Sequence, residues 1–404
     1  MLSFGLALPT LIFFGQVSLV AIAANLIAVP VFSLFLLPVV LVGAALMLAG
    51  LWPADFVLDA GAQGLARLLE FLAILADLPG ATRAPVSYGA LTFVLAAFAT
   101  LVVLLPRPLP GRVCALALLV AALHAGRFSA KPKLTVQVID VGQGLSVLVQ
   151  TENHNLLYDT GASWRDGDAG LSFILPALRF AGVRHLDTLV ISHADTDHSG
   201  GAESIIQELP VARVLAADEH SQTYFDAQGC YAGMHWWWDS VEFRVLHPDP
   251  QHNWSENNGS CVLLVSSGAS VLLLPGDIER AAELSLVGRH DLSSADLLLG
   301  PHHGSKTSST DVFVEAATAR HVVFSAGYAN RWGFPRPEIM ARWSAGGSCI
   351  LLTSISGALR FVAAETGGFR LADARRSSLL RPWPIRNSES IRCVNTINGV
   401  DGGL

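Results

Sequence analysis

The first fifty residues contain no Asp, Glu, Lys or Arg, and the first charge along the chain is Asp55. A core helix of a soluble domain does not run that far without a charged face, whereas a bilayer-spanning helix needs about 20 apolar residues in succession. Residues 4–20 and 21–51 are each apolar enough to cross a membrane. A secretory signal would be shorter, with a basic start and a small-residue cleavage site, and this run has neither. Asn25 and Pro30 interrupt it, which membrane bundles tolerate where neighbouring helices resatisfy the backbone. Residues 57–78 differ, because Arg67, Glu70 and Asp77 lie among Leu and Ala. That mixture predicts an amphipathic helix at the membrane interface. Residues 88–105 form another spanning candidate of about 18 residues, and 113–126 a shorter apolar run. These segments make residues 1–126 a transmembrane helical region.

Residues 127–133 read as a linker, and beyond them the pattern changes to short alternating or apolar runs separated by turn residues. Strands are expected at 134–140, 145–150, 155–158, 186–192, 211–215, 241–246, 261–265, 271–274, 297–299, 322–325 and 350–353. Helices are expected at 173–180, 202–209, 279–287, 311–319 and 337–343. Strand dominance with interspersed helices predicts two sheets packed face to face with helices outside, over residues 134–374. Residues 375–404 read as an irregular basic tail.

The chemistry concentrates in His193-Ala194-Asp195-Thr196-Asp197-His198-Ser199-Gly200-Gly201. The stretch lies where the apolar strand 186–192 hands over to a helix. A turn of this kind can aim four side chains at one point, because no regular period spreads them about an axis. Alternating imidazole and carboxylate supplies the nitrogen and oxygen donors that suit Zn²⁺ or Mn²⁺. A helix cap would need one acceptor, and this turn holds two carboxylates and two imidazoles.

His-x-Asp-x-Asp-His-x-Gly-Gly resembles the signature loop of the metallo-β-lactamase fold. With Asp195 in place of the commoner second His, it is similar to the C-terminal domain of ComEC, a family of inner-membrane DNA-uptake proteins of natural competence. Asp140-Val141-Gly142-Gln143-Gly144, Asp159-Thr160-Gly161 and Pro301-His302-His303-Gly304-Ser305 resemble that family as well. So do Phe14-Gly15-Gln16-Val17-Ser18 and Ala24-Asn25-Leu26-Ile27-Ala28-Val29-Pro30 in the apolar part. The resemblance implies an α/β, αββα sandwich behind the transmembrane segment, with one or two divalent ions. His193 and Asp195 would hold a first metal, Asp197 and His198 a second. Asp277 would bridge them and His303 would complete the second. Asp197, Asp277, His302 and Lys306 are the candidates for catalysis, the last two facing the phosphate. Asp140, Asp159 and Asn257 would stand behind the ligands. Two departures matter. Residues 256–260 offer no His as a third ligand to the first metal, His247 and His252 being loop residues, and Phe334 stands where many relatives have His. The chain is also short for the family, as though an N-terminal domain and the first membrane helices were missing.

The net charge of −7 conceals an asymmetry. From Arg320 to Arg392 there are eleven Arg against four acids, so the rest of the chain is strongly acidic. The global figure therefore does not argue against a DNA substrate. Arg331 and Arg336 are the candidates for gripping its backbone. Five scattered cysteines without a Cys-x-x-Cys pair predict neither a zinc ribbon nor a disulfide framework, with Cys261 and Cys349 as small core residues. Trp236-Trp237-Trp238 belongs to core or membrane interface rather than to base stacking.

The expected function is DNA uptake at the inner membrane by a multi-pass protein. Its metal-dependent phosphodiesterase (nuclease) domain would degrade the non-transported strand. The resemblance places that domain on the extracytoplasmic side; basic residues flank 113–126 at both ends, so the positive-inside rule favours neither orientation. Expected partners are single-stranded DNA, membrane lipid and other competence components, with oligomerisation left open. Two alternatives stand: a tethered hydrolase of a thioester or lactone, and a module that holds DNA at a channel mouth without cutting it.

Overall fold

The computed structural model describes residues 20–76 and 132–374, Ser255 excepted, with a few isolated positions outside these ranges. The expected spans at 88–105 and 113–126, nearly all of 4–20 and the tail 375–404 lie outside the described residues. The chain divides into two compact units between Ser129 and Ala130.

In the first unit, Ala23–Leu48 is a continuous helix of 26 residues. Among the described residues it alone is long and apolar enough to cross a membrane, by length and composition. Pro30 offers no amide hydrogen to the helix ladder, and the turns after it, Val31–Leu36, widen to π bonding before α geometry resumes at Leu37. A second helix, Ala54–Ala76, folds back antiparallel to the first. Glycines set how close they come: a Cβ on Gly43 would lie 2.7 Å from Leu58, one on Gly61 3.0 Å from Val40 and one on Gly64 2.6 Å from Leu36. Small residues at such crossings let backbones approach closely. The returning helix carries an exposed Arg67–Glu70 pair at 3.0 Å, on the segment expected to be amphipathic.

The second unit holds two large sheets. The first contains β1 (Leu134–Val138), β2 (Val147–Thr151), β3 (Asn155–Tyr158), β4 (Thr188–Ile191), β5 (Val214–Ala216), β6 (Gln228–Gly229), and two late strands. The second contains β7 (His235–Trp238), β8 (Val241–His247), β9 (Val262–Ser267), β10 (Ser270–Leu274), β11 (Leu297–Leu299), β12 (His321–Phe324) and β13 (Cys349–Leu352). The chain then returns to the first sheet with β14 (Leu359–Ala363) and β15 (Phe369–Ala374). The orders are β6-β5-β4-β3-β2-β1-β14-β15 and β7-β8-β9-β10-β11-β12-β13. Each sheet is antiparallel on one side and parallel on the other, switching at β3 in the first and at β10 in the second.

One core lies between the sheets, built from inward side chains of both, including Val136, Val147, Tyr158, Phe243, Leu263, Leu272 and Phe361. A second lies between the second sheet and the helices Arg280–Gly288, Asp311–Ala317 and Pro337–Ala345, around Leu286, Phe313 and Trp343. Full burial of such side chains contributes ~1.5–3 kcal/mol each. Strands of the parallel halves, such as Thr188–Ile191 and Leu297–Leu299, are buried throughout, so they read as unbroken apolar runs rather than as alternation.

Two expectations require correction and a third is refined. Cys230 and Cys261 form a disulfide between the two sheets, and Cys349 is disulfide-bonded as well. Pairing over a separation of 31 residues follows from the sandwich and is invisible to local spacing. His247 is the last residue of a strand, fully buried, rather than part of a loop. The tryptophan run forms an edge strand in which Trp236 and Trp238 pack on Phe243 while Trp237 is 61% exposed.

Candidate metal centre

Parallel strands end together, so the loops leaving their carboxyl ends converge, above all where the sheet reverses its sense. Here β3 is followed by Asp159, β4 by Ser192 and His193, β10 by Asp277, β11 by His302 and His303, and β12 by Ser325. Two groupings of ligand-type side chains result, His193–His198–Asp277 and Asp197–His198–His303, with the ligand atoms of each within 4.8 Å of one another.

The signature turn is shaped from below. Asp195 to Ser199 close a single helical turn, with the Asp195 carbonyl accepting from His198 N–H at 2.9 Å and Ser199 N–H at 3.0 Å. Glycine is required around it: a Cβ on Gly144 would sit 2.2 Å from the Asp197 carbonyl oxygen, and one on Gly201 2.4 Å from that of Thr160. The Asp140–Gly144 segment therefore lets its backbone press against the metal loop. Leu145 N–H donates to the Asp197 carbonyl at 3.1 Å, and Asp140 Oδ1 accepts from Gly142 N–H at 3.4 Å.

His198 is fixed by Asp159, whose Oδ2 lies 2.7 Å from His198 Nδ1. The same carboxylate accepts from Ser192 N–H at 2.7 Å and from Ser192 Oγ at 2.8 Å. With Nδ1 so engaged, His198 Nε2 faces inward, 3.1 Å from Asp277 Oδ1 and 3.1 Å from His303 Nε2. His303 Nδ1 meets the Ser325 carbonyl at 2.8 Å, turning its own Nε2 to within 3.4 Å of both Asp197 Oδ2 and Asp277 Oδ2. His302 and His303 both have left-handed backbone, with φ of 47° and 52°. That costs each roughly 1–2 kcal/mol, and such cost persists where the surroundings impose it. An extended loop was expected here. The left-handed turn instead buries His303 among the ligands and leaves His302 on the pocket wall, its Nδ1 3.2 Å from Glu279 Oε1 and 3.3 Å from Thr307 Oγ1.

Burial alone would raise the Asp197 carboxyl, but the His303 hydrogen bond and the charges of His198 and His303 outweigh it and hold it at about 2. Burial would likewise raise Asp277, yet the same two imidazoles keep it well below the carboxylate range. Burial would lower His198, but the charges and hydrogen bonds of Asp277 and Asp159 pull it well above the usual imidazole range. The Nε2 atoms of His198 and His303, 3.1 Å apart, need a cation between them, which a shared proton or a metal ion can supply. His193 Nε2 is buried without a hydrogen-bond partner, which costs about 1–3 kcal/mol if nothing satisfies it. Three imidazoles and two carboxylates with inward lone pairs fit a divalent cation of the zinc and manganese class.

The expected residues do not all gather. Asp195 stands at the rim, with Oδ2 3.6 Å from His193 Nε2, and belongs to neither tight grouping. His193 groups instead with His198 and Asp277. Ser260 lies behind this grouping, its Oγ 3.4 Å from His193 Nδ1 and accepting from Asp277 N–H at 3.1 Å. Asn257 supports it through its carbonyl, which accepts from Ser260 Oγ at 2.7 Å. The pocket over the centre, about 420 Å³, is lined by Asp195, Asp197, Asp277, His302, His303, Arg331, Trp332 and Phe334, among others. Lys306 lines a neighbouring cavity instead. Arg336 is drawn over Phe334 at 5.8 Å with its Nε buried, rather than into the pocket. Sequence reasoning missed Ser192, Ser260 and Trp332. Only Trp332, an exposed aromatic next to Arg331, carried a usable signal.

Residues 1–109 match the family described as competence protein, and residues 139–327 match the metallo-beta-lactamase superfamily. The chain is 40% identical over 355 residues to competence protein ComA of Neisseria gonorrhoeae, covering 86% of this chain and 48% of that protein. It is 33% identical over 257 residues to recombination protein 2 of Haemophilus influenzae, covering 64% and 32%. Protein YcaI of Escherichia coli is 32% identical over 247 residues, covering 60% and 32%. The chain thus spans about half the length, or less, of these relatives.

Proposed function

Because the chain belongs to the ComEC-type competence family, a competence segment joined to a metallo-β-lactamase domain, we propose that it serves DNA uptake and that its metal domain hydrolyses phosphodiesters of the strand not carried across. The observation that carries this reading is one pocket holding both the converged ligands and a cationic, aromatic rim. Arg331 and Trp332 line it together with Asp197, Asp277 and His303, and the Arg331 guanidinium lies 4.2 Å from the Trp332 ring centroid. A hydrolase for a small neutral ester has no use for that rim.

His193, His198 and Asp277 would hold one ion, and Asp197 and His303, with Asp277 beside them, a second. When bound, such an ion, Zn²⁺ or Mn²⁺, supplies Lewis acidity that lowers the pKa of a water and neutralises charge on a leaving oxygen. Arg331 grips a phosphate, and Trp332 stacks a base, whose face is free only in a single strand. His302, braced by Glu279 and Thr307, presents Nε2 to the pocket and moves a proton at the leaving oxygen. Asp159 holds His198 in the tautomer that leaves Nε2 free. The disulfide between Cys230 and Cys261 supports placing this domain outside the cytoplasm, since disulfides persist in oxidising compartments.

The test is metal analysis of the full chain in detergent, with cleavage of a labelled single-stranded oligonucleotide followed in parallel. Asp197→Ala is expected to lower metal content and abolish cleavage together, because it removes a ligand and a neutralising charge. Retained cleavage would sink the metal mechanism. A wild-type chain that binds the strand under all metal conditions without cutting it would make the domain a DNA-holding module.

A further inference from the structure

A second cavity, of about 640 Å³, lies beside the metal pocket. Asn258, Glu279, Arg280, Lys306, Thr307 and Arg342 are among the residues that line it. The two hollows share a wall. His302 lines the metal pocket, and its Nδ1 meets Glu279 and Thr307, which line the second cavity. The charges there are not balanced. Arg342 is engaged by the Asp311 carboxylate and donates to the Ser309 carbonyl at 2.6 Å. Glu279 is faced by His302. Arg280 and Lys306 make no ion pair among the described residues, so two cations face the cavity while its carboxylates, Asp311 and Glu279, are turned to Arg342 and to the His302 ring. The backbone does not compete for it: Glu279 N–H and Ala282 N–H both donate to Asn258 Oδ1, at 3.2 and 3.1 Å. Ser308 Oγ is likewise spent on the carbonyls of Pro301 and Ser305. Recognition therefore falls to two long cationic side chains, which suit a diffuse anion rather than a small, tightly caged one.

We propose that this cavity binds a backbone phosphate of a nucleic-acid strand, next to the phosphate held over the metal centre, through Arg280 and Lys306. The inference rests on the reading that the metal pocket takes such a strand. It makes the substrate an extended polynucleotide: a dinucleotide fills the metal pocket, and a longer strand also reaches the second cavity.

The experiment measures binding of labelled oligothymidylates of two, four and eight nucleotides to the full chain in detergent, in EDTA, across a salt series. Wild type should gain affinity between the dimer and the longer strands. The Arg280→Glu, Lys306→Glu double variant should lose that gain, about tenfold for the octamer. Its plot of log affinity against log salt should flatten by about 0.7, for the one backbone phosphate this cavity holds on a single strand. The milder Arg280→Gln, Lys306→Gln pair should lose affinity part-way, which guards against misfolding. Arg244→Glu, an exposed change on β8, controls for charge reversal at a single site away from the cavity. Wild type that binds no oligothymidylate would overturn the functional reading itself. Wild type that binds while both double variants keep its affinity and slope would overturn the subsite alone. Inorganic phosphate binding as tightly as the octamer, through the same two residues, would make this a free-phosphate site and overturn it too.

Discussion

Asp159 shows how much of a metal centre depends on residues that never reach the ion. Its carboxylate, fully buried, is shared between the His198 ring and both the N–H and the hydroxyl of Ser192. Removing it would leave the buried Ser192 N–H without its acceptor and free His198 to choose its other tautomer. Outer partners of this kind are worth about 10–100-fold in metal affinity. Asp159→Asn should therefore weaken metal binding by about tenfold or more while far-ultraviolet circular dichroism stays the same, as titration with a competing chelator would show. Unchanged affinity would mean that Ser192 alone orients the ring. At this scale the residues rich in chemical meaning were legible: His193, Asp197, His198, Asp277 and His303 all stand at strand ends and all converge. What was not legible is their grouping, because Asp195 and His193 are two residues apart in sequence and only the turn decides that one points outward. Ser192 and Ser260 were invisible for a simpler reason, since a serine in a loop carries no signal until its neighbours are known.

At the scale of elements, the short helical turn Glu256–Gly259 and Ser260 after it back the His193 side of the centre, and His247 pins them. Its Nε2 is 2.7 Å from the Asn258 carbonyl, and the Asn258 side chain in turn caps the helix that follows Asp277. Burial, first of all, lowers the His247 pKa to about 4. In the unfolded chain the ring titrates near 6.5, so below that pH the unfolded state takes a proton that the folded state refuses. Stability is thus fully present above about pH 6.5 and is lost as pH falls towards 4, by roughly 3 kcal/mol at most. Unfolding midpoints in EDTA across that range should fall more steeply for wild type than for His247→Gln; parallel slopes would contradict the assignment. Most strands could be read from the sequence because the parallel halves are mostly apolar and the antiparallel hairpins alternate. β14 and β15 could not, since Arg360 and Arg370 interrupt their apolar pattern and β14, besides its hairpin with β15, pairs with β1 from the far end of the domain. The tryptophan strand was read as core or interface but not as a strand, because only sheet pairing turns Trp237 away from its two neighbours.

For the whole molecule the open quantity is direction across the membrane. Arg107 and Arg112 precede the apolar run 113–126, and Arg127, Lys131 and Lys133 follow it, so basic residues flank both sides and charge counting does not decide. The disulfide does bear on the question. Cys230 and Cys261 are both buried between the sheets, 6.0 Å apart at Cα, where a cytoplasmic reductant would meet them only during folding. Cytosolic thiol pools keep such pairs reduced as the chain is made, whereas an extracytoplasmic domain closes them as it folds. A reporter fused after Ala374 should therefore behave as an extracytoplasmic one: alkaline phosphatase active, green fluorescent protein dark. Alkylation of cells lysed in acid should leave Cys230 and Cys261 unlabelled unless a reductant is added first. The full chain should sediment with membranes and need detergent to leave them, as its charge-free first fifty residues demand. A fluorescent fusion together with labelled, reduced cysteines would reverse the orientation, and the metal centre would then meet the strand after it has crossed the membrane rather than before.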